Sequence, residues 1–294
     1  MKEIEVKHIL IKNKDKSWFG TDYTINLYRG CCHGCIYCDS RSVCYKIDNF
    51  DEVTIKKDAL RILRDDLSSK RKKGVIAMGS MSDPYNPFEK KLCLTRHALE
   101  LIDAYGFGVS ITTKSDLILR DIDILKQIAS HSPVIVKITI TTPYDELSKI
   151  IEPNVCESSK RFNTIKILRE HGIYSGILLM PCLPMIEDNF ESVKKLVDSA
   201  KEVDARFIYP FFGVTLREGS REYFYDHLNR YFPNLKDKYI QRYGNQYICH
   251  SNQRDKMYNW FSKYCDSFAI LTDMNRISRA YHYGYQIKQM KFDI

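Results

Sequence analysis

Five of the chain's ten cysteines fall between Cys31 and Cys44, in the stretch YRGCCHGCIYCDSRSVC. Cys31, Cys35 and Cys38 are spaced C-x3-C-x2-C, with Cys32, His33 and Cys44 close by. Thiols this dense cross-link a chain as disulfides, hold a structural zinc, or ligate an iron–sulfur cluster. The remaining five (Cys93, Cys156, Cys182, Cys249 and Cys265) have no framework spacing and read as small buried apolar residues. The opening MKEIEVKHILIKNKDK alternates charged and apolar residues and carries no apolar signal core. No run approaches the roughly 18 apolar residues that span a bilayer. A soluble, cytoplasmic protein with no membrane partner is expected, and reduced cytosolic thiols weaken the disulfide answer. The formal charge of +8 permits an anionic partner such as nucleic acid without demanding one.

The elements that must position these thiols are legible. YTINLYR reads as a strand leading into the cysteines, and KKDALRILRDDLSSKRKK has apolar residues at helical spacing. GVIAMGS is a buried-strand run, and LTRHALELIDAYG is a helix with Thr95 as its cap and Gly106 as its stop. Three more strand–helix pairs follow: GVSITTK with DIDILKQIASH, PVIVKITIT with SKRFNTIKILREHG, and YSGILLMPC with NFESVKKLVDSAKEV. ARFIYPFF makes a sixth strand. These runs are apolar throughout rather than alternating, as in parallel strands covered by helices. Six consecutive βα units predict an α/β fold, a partial (β/α)6 TIM-like barrel. A doubly wound sheet would place a glycine-rich phosphate loop where the cysteines stand. Hydrophobic content of 44% over 294 residues supplies a core of that size. Beyond Phe212 the chain turns tyrosine-rich and helical. Residues 1–212 are therefore read as the barrel with its lead-in, and 213–294 as a C-terminal extension packed on it. Its tyrosines, near Arg242, Arg254 and Arg276, suit either stacking on nucleic acid or packing with wet hydroxyls.

In a barrel of this kind, the loops at the strand C-termini line the active face, and the cysteines follow strand one. A structural zinc prefers two separated C-x2-C pairs; here only Cys35 and Cys38 make one. Cys32, His33 or Cys44 can complete such a shell. A zinc-stabilised nucleic-acid-binding protein is thus the alternative reading. Three thiolates at C-x3-C-x2-C suit a [4Fe–4S] cluster with one iron left open for a small molecule.

C-x3-C-x2-C with Tyr37 before its last cysteine, opening a six-unit βα run, resembles the radical S-adenosylmethionine (SAM) superfamily. GCCHGCIYCDSRS, SMSDPYNP, TTKS and ITTPYDELSKIIEP narrow the resemblance to its spore photoproduct lyase-like branch, over roughly Asn26 to Pro210. The resemblance implies a [4Fe–4S] cluster on Cys31, Cys35 and Cys38 whose open iron chelates SAM. It implies an external one-electron reductant of flavodoxin or ferredoxin type, and reductive cleavage to a 5′-deoxyadenosyl radical. That radical abstracts hydrogen from a substrate the sequence does not identify; family analogy allows nucleic acid. By the same resemblance, Tyr37 meets the adenine, Ser80 and Ser82 the methionine amino end, and Lys114 the carboxylate. Thr139 and Thr141 hold the ribose, and Met180 is a further adenine contact. Asp83 reads as a supporting carboxylate or a turn residue before Pro84. One departure stands out: where spore photoproduct lyase carries a hydrogen-donating cysteine, this chain has Ser80.

Overall fold

The computed structural model describes residues 2–289, so Met1 and the last five residues of the expected extension, 290–294, lie outside it. Seven strands form the main sheet: β1 (Ile11–Lys12), β2 (Tyr23–Ile25), β3 (Val75–Met78), β4 (Gly108–Thr113), β5 (Val134–Thr139), β6 (Ser175–Leu179) and β7 (Ile208–Pro210). They lie in sequence order. β2 to β7 are parallel and only β1 runs antiparallel, pairing Ile11 with Thr24. Each parallel strand is one of the six apolar runs, and every residue of β5 is buried. Among the described residues β7 does not pair with β1 or β2, so the barrel is partial and open.

Alternate strand residues face opposite ways. Ile76, Val109, Val136, Ile138, Ile177 and Ile208 join the main core on the helical side. There they meet α1 (Ala59–Ser68), α2 (Leu94–Ala104) and α3 (Ile122–Ala129), then α5 (Ser158–Glu170) and α6 (Phe190–Glu202), while α4 (Asp145–Ile151) packs its Ile151 with Cys35, Ile36 and Tyr37 of the cysteine loop. The opposite face turns into the barrel. At its N-terminal end Val75, Ile135 and Phe207 pack with Phe19 as an apolar floor, which Leu178 joins from further along β6. Towards the C-terminal end the inward residues become polar: Ser110, Thr112, Lys137 and Thr139. The sheet therefore has a dry bottom and a polar mouth.

Two local expectations need correction. YTINLYR is not one strand: after β2, Tyr28–Arg29 pairs antiparallel with Thr54–Lys56, which also pairs with Glu3–Ile4. The chain must leave the barrel here to carry the cysteine loop across its mouth. Thr95 is not a helix cap; its hydroxyl donates to the Pro84 carbonyl at 2.6 Å, and Cys93, at φ 51°, stands at the cap position.

After Phe212 come four helices, α7 (Ser220–Tyr231), α8 (Leu235–Tyr243), α9 (Arg254–Asp266) and α10 (Met274–Gln289). A hairpin of Gly213–Thr215 with Ile248–His250, too short to carry a period, was not expected. Met257, Phe261 and Cys265 join the barrel's own core. The buried hydroxyls of Tyr239 and Tyr243 donate to main-chain carbonyls of Pro184 and His250, so these rings pack rather than offer stacking faces. Among the described residues no helix is long and apolar enough to cross a membrane.

Candidate active site

The cysteine loop is fastened to the mouth of the barrel on several sides. Gly30 turns it at φ 79°, where a side-chain Cβ would lie 2.7 Å from the Phe50 carbonyl oxygen. The Cys31 N–H donates to that same carbonyl at 2.8 Å. The Ile36 N–H donates to Ile151, and Asn154 returns two bonds, its N–H to His33 and its Nδ2 to the Cys32 carbonyl at 2.9 Å. From the turn after β3, the Ser82 hydroxyl donates to the Gly30 carbonyl at 2.6 Å. Backbone groups that a loop would leave open are thus satisfied by its neighbours.

So held, Cys31, Cys35 and Cys38 line one cavity of about 130 Å³ together with Tyr37, the Gly79–Asp83 turn, Thr112–Lys114 and Thr139. Cys32 and Cys44 do not line it: Cys32 packs against the main core, and Cys44 is exposed beside Arg217. The three thiols surround a space rather than a point. Among the described residues no three His, Cys, Asp or Glu side chains draw close enough to hold a single ion. The burial of these thiols matters for their chemistry: it pushes the Cys31 pKa up to about 12 and raises those of Cys35 and Cys38, against the pull of Lys114. Ligation as thiolate requires a cation's charge to reverse this.

Lys114 supplies a fixed positive charge at the edge of the cavity. Burial works against its ammonium, but Cys35, Glu152, Asp83 and Cys38 outweigh burial and hold it above the usual lysine range. Its Nζ lies 5.7 Å from the Tyr37 ring centroid. Asp83 locks the end of β4, accepting from the Thr113 hydroxyl at 2.6 Å and the Lys114 N–H at 2.8 Å. It also accepts from the Tyr85 N–H across the turn at Pro84.

Behind the cavity is a buried polar network that the sequence did not reveal. The Tyr37 hydroxyl donates to Glu152 Oε1, and Arg161 Nη2 meets Glu152 Oε2 at 2.5 Å. Arg161 also donates to the Thr139 carbonyl at 2.8 Å and to Ser148 Oγ at 2.6 Å. Burial disfavours the Glu152 carboxylate, yet Arg161 and Lys114 outweigh it and keep its pKa below the usual glutamate value. His33, buried in the loop, sits 3.7 Å from Asp83, and burial lowers its pKa. Glu152 stands in the family-like IIEP, just before its proline, a usable signal; Arg161 stands in an ordinary-looking helix.

Other candidates are placed differently. Ser80 lines the cavity with an exposed side chain, 3.4 Å from Asn26 Oδ1. Ser82 also lines it, but its hydroxyl serves Gly30. Thr141 is buried beside Glu187, outside the cavity wall. Met180 packs against the apolar floor cluster rather than the cavity. Thr141 lies two residues beyond the end of β5 and Met180 one residue beyond the end of β6, so neither is held in the cavity wall by its strand.

The family model of the Radical SAM superfamily matches residues 25–200, well over half of the chain. The chain belongs to that superfamily. An uncharacterized protein of Methanocaldococcus jannaschii is 34% identical over 206 residues, covering 69% of this chain and 74% of its own. An uncharacterized protein of Mycobacterium tuberculosis is 28% identical over 248 residues, covering 82% and 73%. Among solved structures, a spore photoproduct lyase mutant superposes with TM-score 0.65 at 15% identity, over 90% of this chain and 79% of that one. Another, with bound AdoMet and dinucleoside spore photoproduct, has TM-score 0.59 at 14% identity, covering 84% and 74%. This likeness is of fold. It extends past Pro210, further than the sequence resemblance reached.

Radical SAM proteins use a [4Fe–4S] cluster and SAM. The residues present fit both: three thiols share one cavity wall, and a lysine held protonated stands at its edge.

Proposed function

We propose that this chain is a radical SAM enzyme that holds an open [4Fe–4S] cluster on Cys31, Cys35 and Cys38 and binds SAM between that cluster and β3 to β5. The observation that carries the reading is the single cavity bounded by those three cysteines, Lys114 and Thr139. When bound, the cluster and SAM supply reductive cleavage to a 5′-deoxyadenosyl radical that takes hydrogen from a substrate, with the electron coming from an external reductant.

The chain's own residues bind and orient. Lys114 meets the SAM carboxylate with a charge that its acidic surroundings maintain. Ser80 offers its exposed hydroxyl to the amino end, and Tyr37 presents a ring pinned by Glu152. Thr139 is fixed at its carbonyl by Arg161. Pinned groups need no reorganisation when the ligand arrives. The apolar floor closes the far end of the barrel to water. A lyase-type reaction is what fold analogy suggests, but Ser80 is no substitute for a donor thiol, because an alcohol O–H gives up hydrogen atoms far less readily. Repair of a DNA lesion is therefore not proposed.

The test is anaerobic reconstitution with iron and sulfide, reduction with dithionite, and assay of SAM for 5′-deoxyadenosine. The expected outcome is product formation that is lost in Cys35→Ala. A protein that holds zinc, takes up no iron and leaves SAM intact overturns the reading in favour of a structural metal knot.

A further inference from the structure

Below the cysteine cavity the barrel holds a second space of about 250 Å³, lined among others by Asn13, Trp18, Thr24, Thr112 and Lys137. Ser80 and Thr112 line both spaces, so the two share a wall. Lys137 precedes Thr139 by two residues on β5 and faces the same way, about 6.6 Å nearer the closed end at roughly 3.3 Å per residue. The lysine is 1% exposed.

Its surroundings are unusual for a buried cation, since lysines are almost never fully buried unless paired. Lys137 Nζ donates to Ser110 Oγ at 2.6 Å and lies 4.6 Å from the Phe19 ring centroid. Among the described residues no carboxylate forms an ion pair with it, and burial alone pushes its pKa down to about 7. An ammonium has three N–H donors, and Ser110 takes one. Phe19, the ring beside its Nζ, belongs to the apolar floor. The one acid lining the space, Asp15, accepts from the N–H and hydroxyl of Ser17, and Lys14 beside it adds a second cation.

We propose that Lys137, flanked by the hydroxyls of Ser110 and Thr112, is an anion-binding floor of the substrate cavity, and that the substrate places a carboxylate or phosphate there. The proposal rests on the radical SAM reading for what it calls the substrate. An arriving anion supplies the missing counter-charge and accepts the unused N–H groups in a site where both interactions are strong. It also fixes direction. A substrate anchored by its charged end at Lys137 points its other end up the barrel, across the shared wall of Ser80 and Thr112, towards the cysteine cavity. Specificity then resides in the distance between an anionic group and the C–H bond that reacts.

The test uses the reconstituted holoenzyme and titrates acetate, inorganic phosphate and the neutral acetamide at constant ionic strength, with calorimetry and thermal shift as readouts. Acetate or phosphate is expected to bind and raise Tm progressively with the logarithm of its concentration above Kd, acetamide is not, and K137M weakens the anion at least tenfold. Which of the two anions binds tighter separates a carboxylate substrate from a phosphate one. Iron content and wild-type SAM cleavage, followed in parallel, report failure of the radical SAM reading separately. Equal binding of acetate and acetamide, or anion binding by K137M like that of the wild type, overturns the proposal. Should K137M not fold, wild-type crystals soaked in selenate decide the matter: an anomalous peak beside Lys137 Nζ supports the site, and peaks confined to the surface overturn it.

Discussion

Arg161 is fully buried, and its guanidinium joins three elements: Thr139 at the cavity wall, Ser148 on α4, and Glu152, which holds Tyr37. Arg161→Leu leaves the Glu152 carboxylate buried with Lys114 as its remaining cation. Breaking a buried pair from one side costs about 3–5 kcal/mol, and urea denaturation at pH 7 measures it. The pH dependence has a definite sign. Glu152 is held below its ordinary value of 4.5, so its contribution is fully present above that pH and fades as pH falls through the folded-state value. The gap between wild type and variant is therefore widest near neutrality and narrows below pH 4.5; a gap that does not change with pH rules out an electrostatic origin. This residue also marks a limit of reading from sequence. The cysteines were legible because cluster ligands crowd into one loop. Arg161 is one of 45 basic residues, on a helix where solvated lysines and arginines are ordinary, and only packing decides that it points inward. Ser82 was found by type and position, yet its hydroxyl is committed to the loop backbone.

At the scale of elements, the parallel strands and their helices were legible because burial on both faces makes a strand apolar throughout. Strands of two residues carry no period, so Ile11–Lys12 was missed and Tyr28–Arg29 was read as a continuation of β2. How β3 ends matters most to the site. Gly79 has φ 92°, and a Cβ there would lie 2.1 Å from the Thr112 carbonyl oxygen on β4. Gly79→Ala must push apart the two strand ends that carry Ser80, Asp83 and Lys114. We expect a loss of more than about 2 kcal/mol, combining left-handed strain with the clash, and at least tenfold weaker SAM binding by equilibrium dialysis. Gly106→Ala is the control. Its φ is 70° with nothing within 4 Å of the added carbon, so it costs about 1–2 kcal/mol of strain and leaves SAM binding intact. Equal effects of the two substitutions on binding sink the argument that the end of β3 is held by close approach to β4.

For the molecule as a whole, the question is what seals the closed end of the barrel. α10 lies there: Ile277 and Tyr281 are buried against Phe19, Leu178 and Phe207, and the Tyr281 hydroxyl donates to the Phe19 carbonyl at 2.5 Å. The Tyr285 hydroxyl reaches the Ala129 carbonyl at the end of α3. Phe19 in turn is the ring over Lys137, so the last helix, the apolar floor and the buried ammonium are stacked layers of one structure. Such a layer was not legible beforehand, because Phe19, Phe207 and Tyr281 lie far apart in the chain. A chain ending at Asp273 exposes that floor. Burying Ile277 and Tyr281 is worth roughly 1.5–3 kcal/mol each, a large part of the roughly 5–15 kcal/mol that holds a typical domain together. At about 2–4 °C per kcal/mol, the truncated protein should melt about 10 °C or more below the full chain in calorimetry. With Phe19 freed to move, water should also reach Lys137. The truncated protein should then bind acetate more weakly, while a truncation that leaves both melting and anion binding unchanged would show that the floor stands without its last layer.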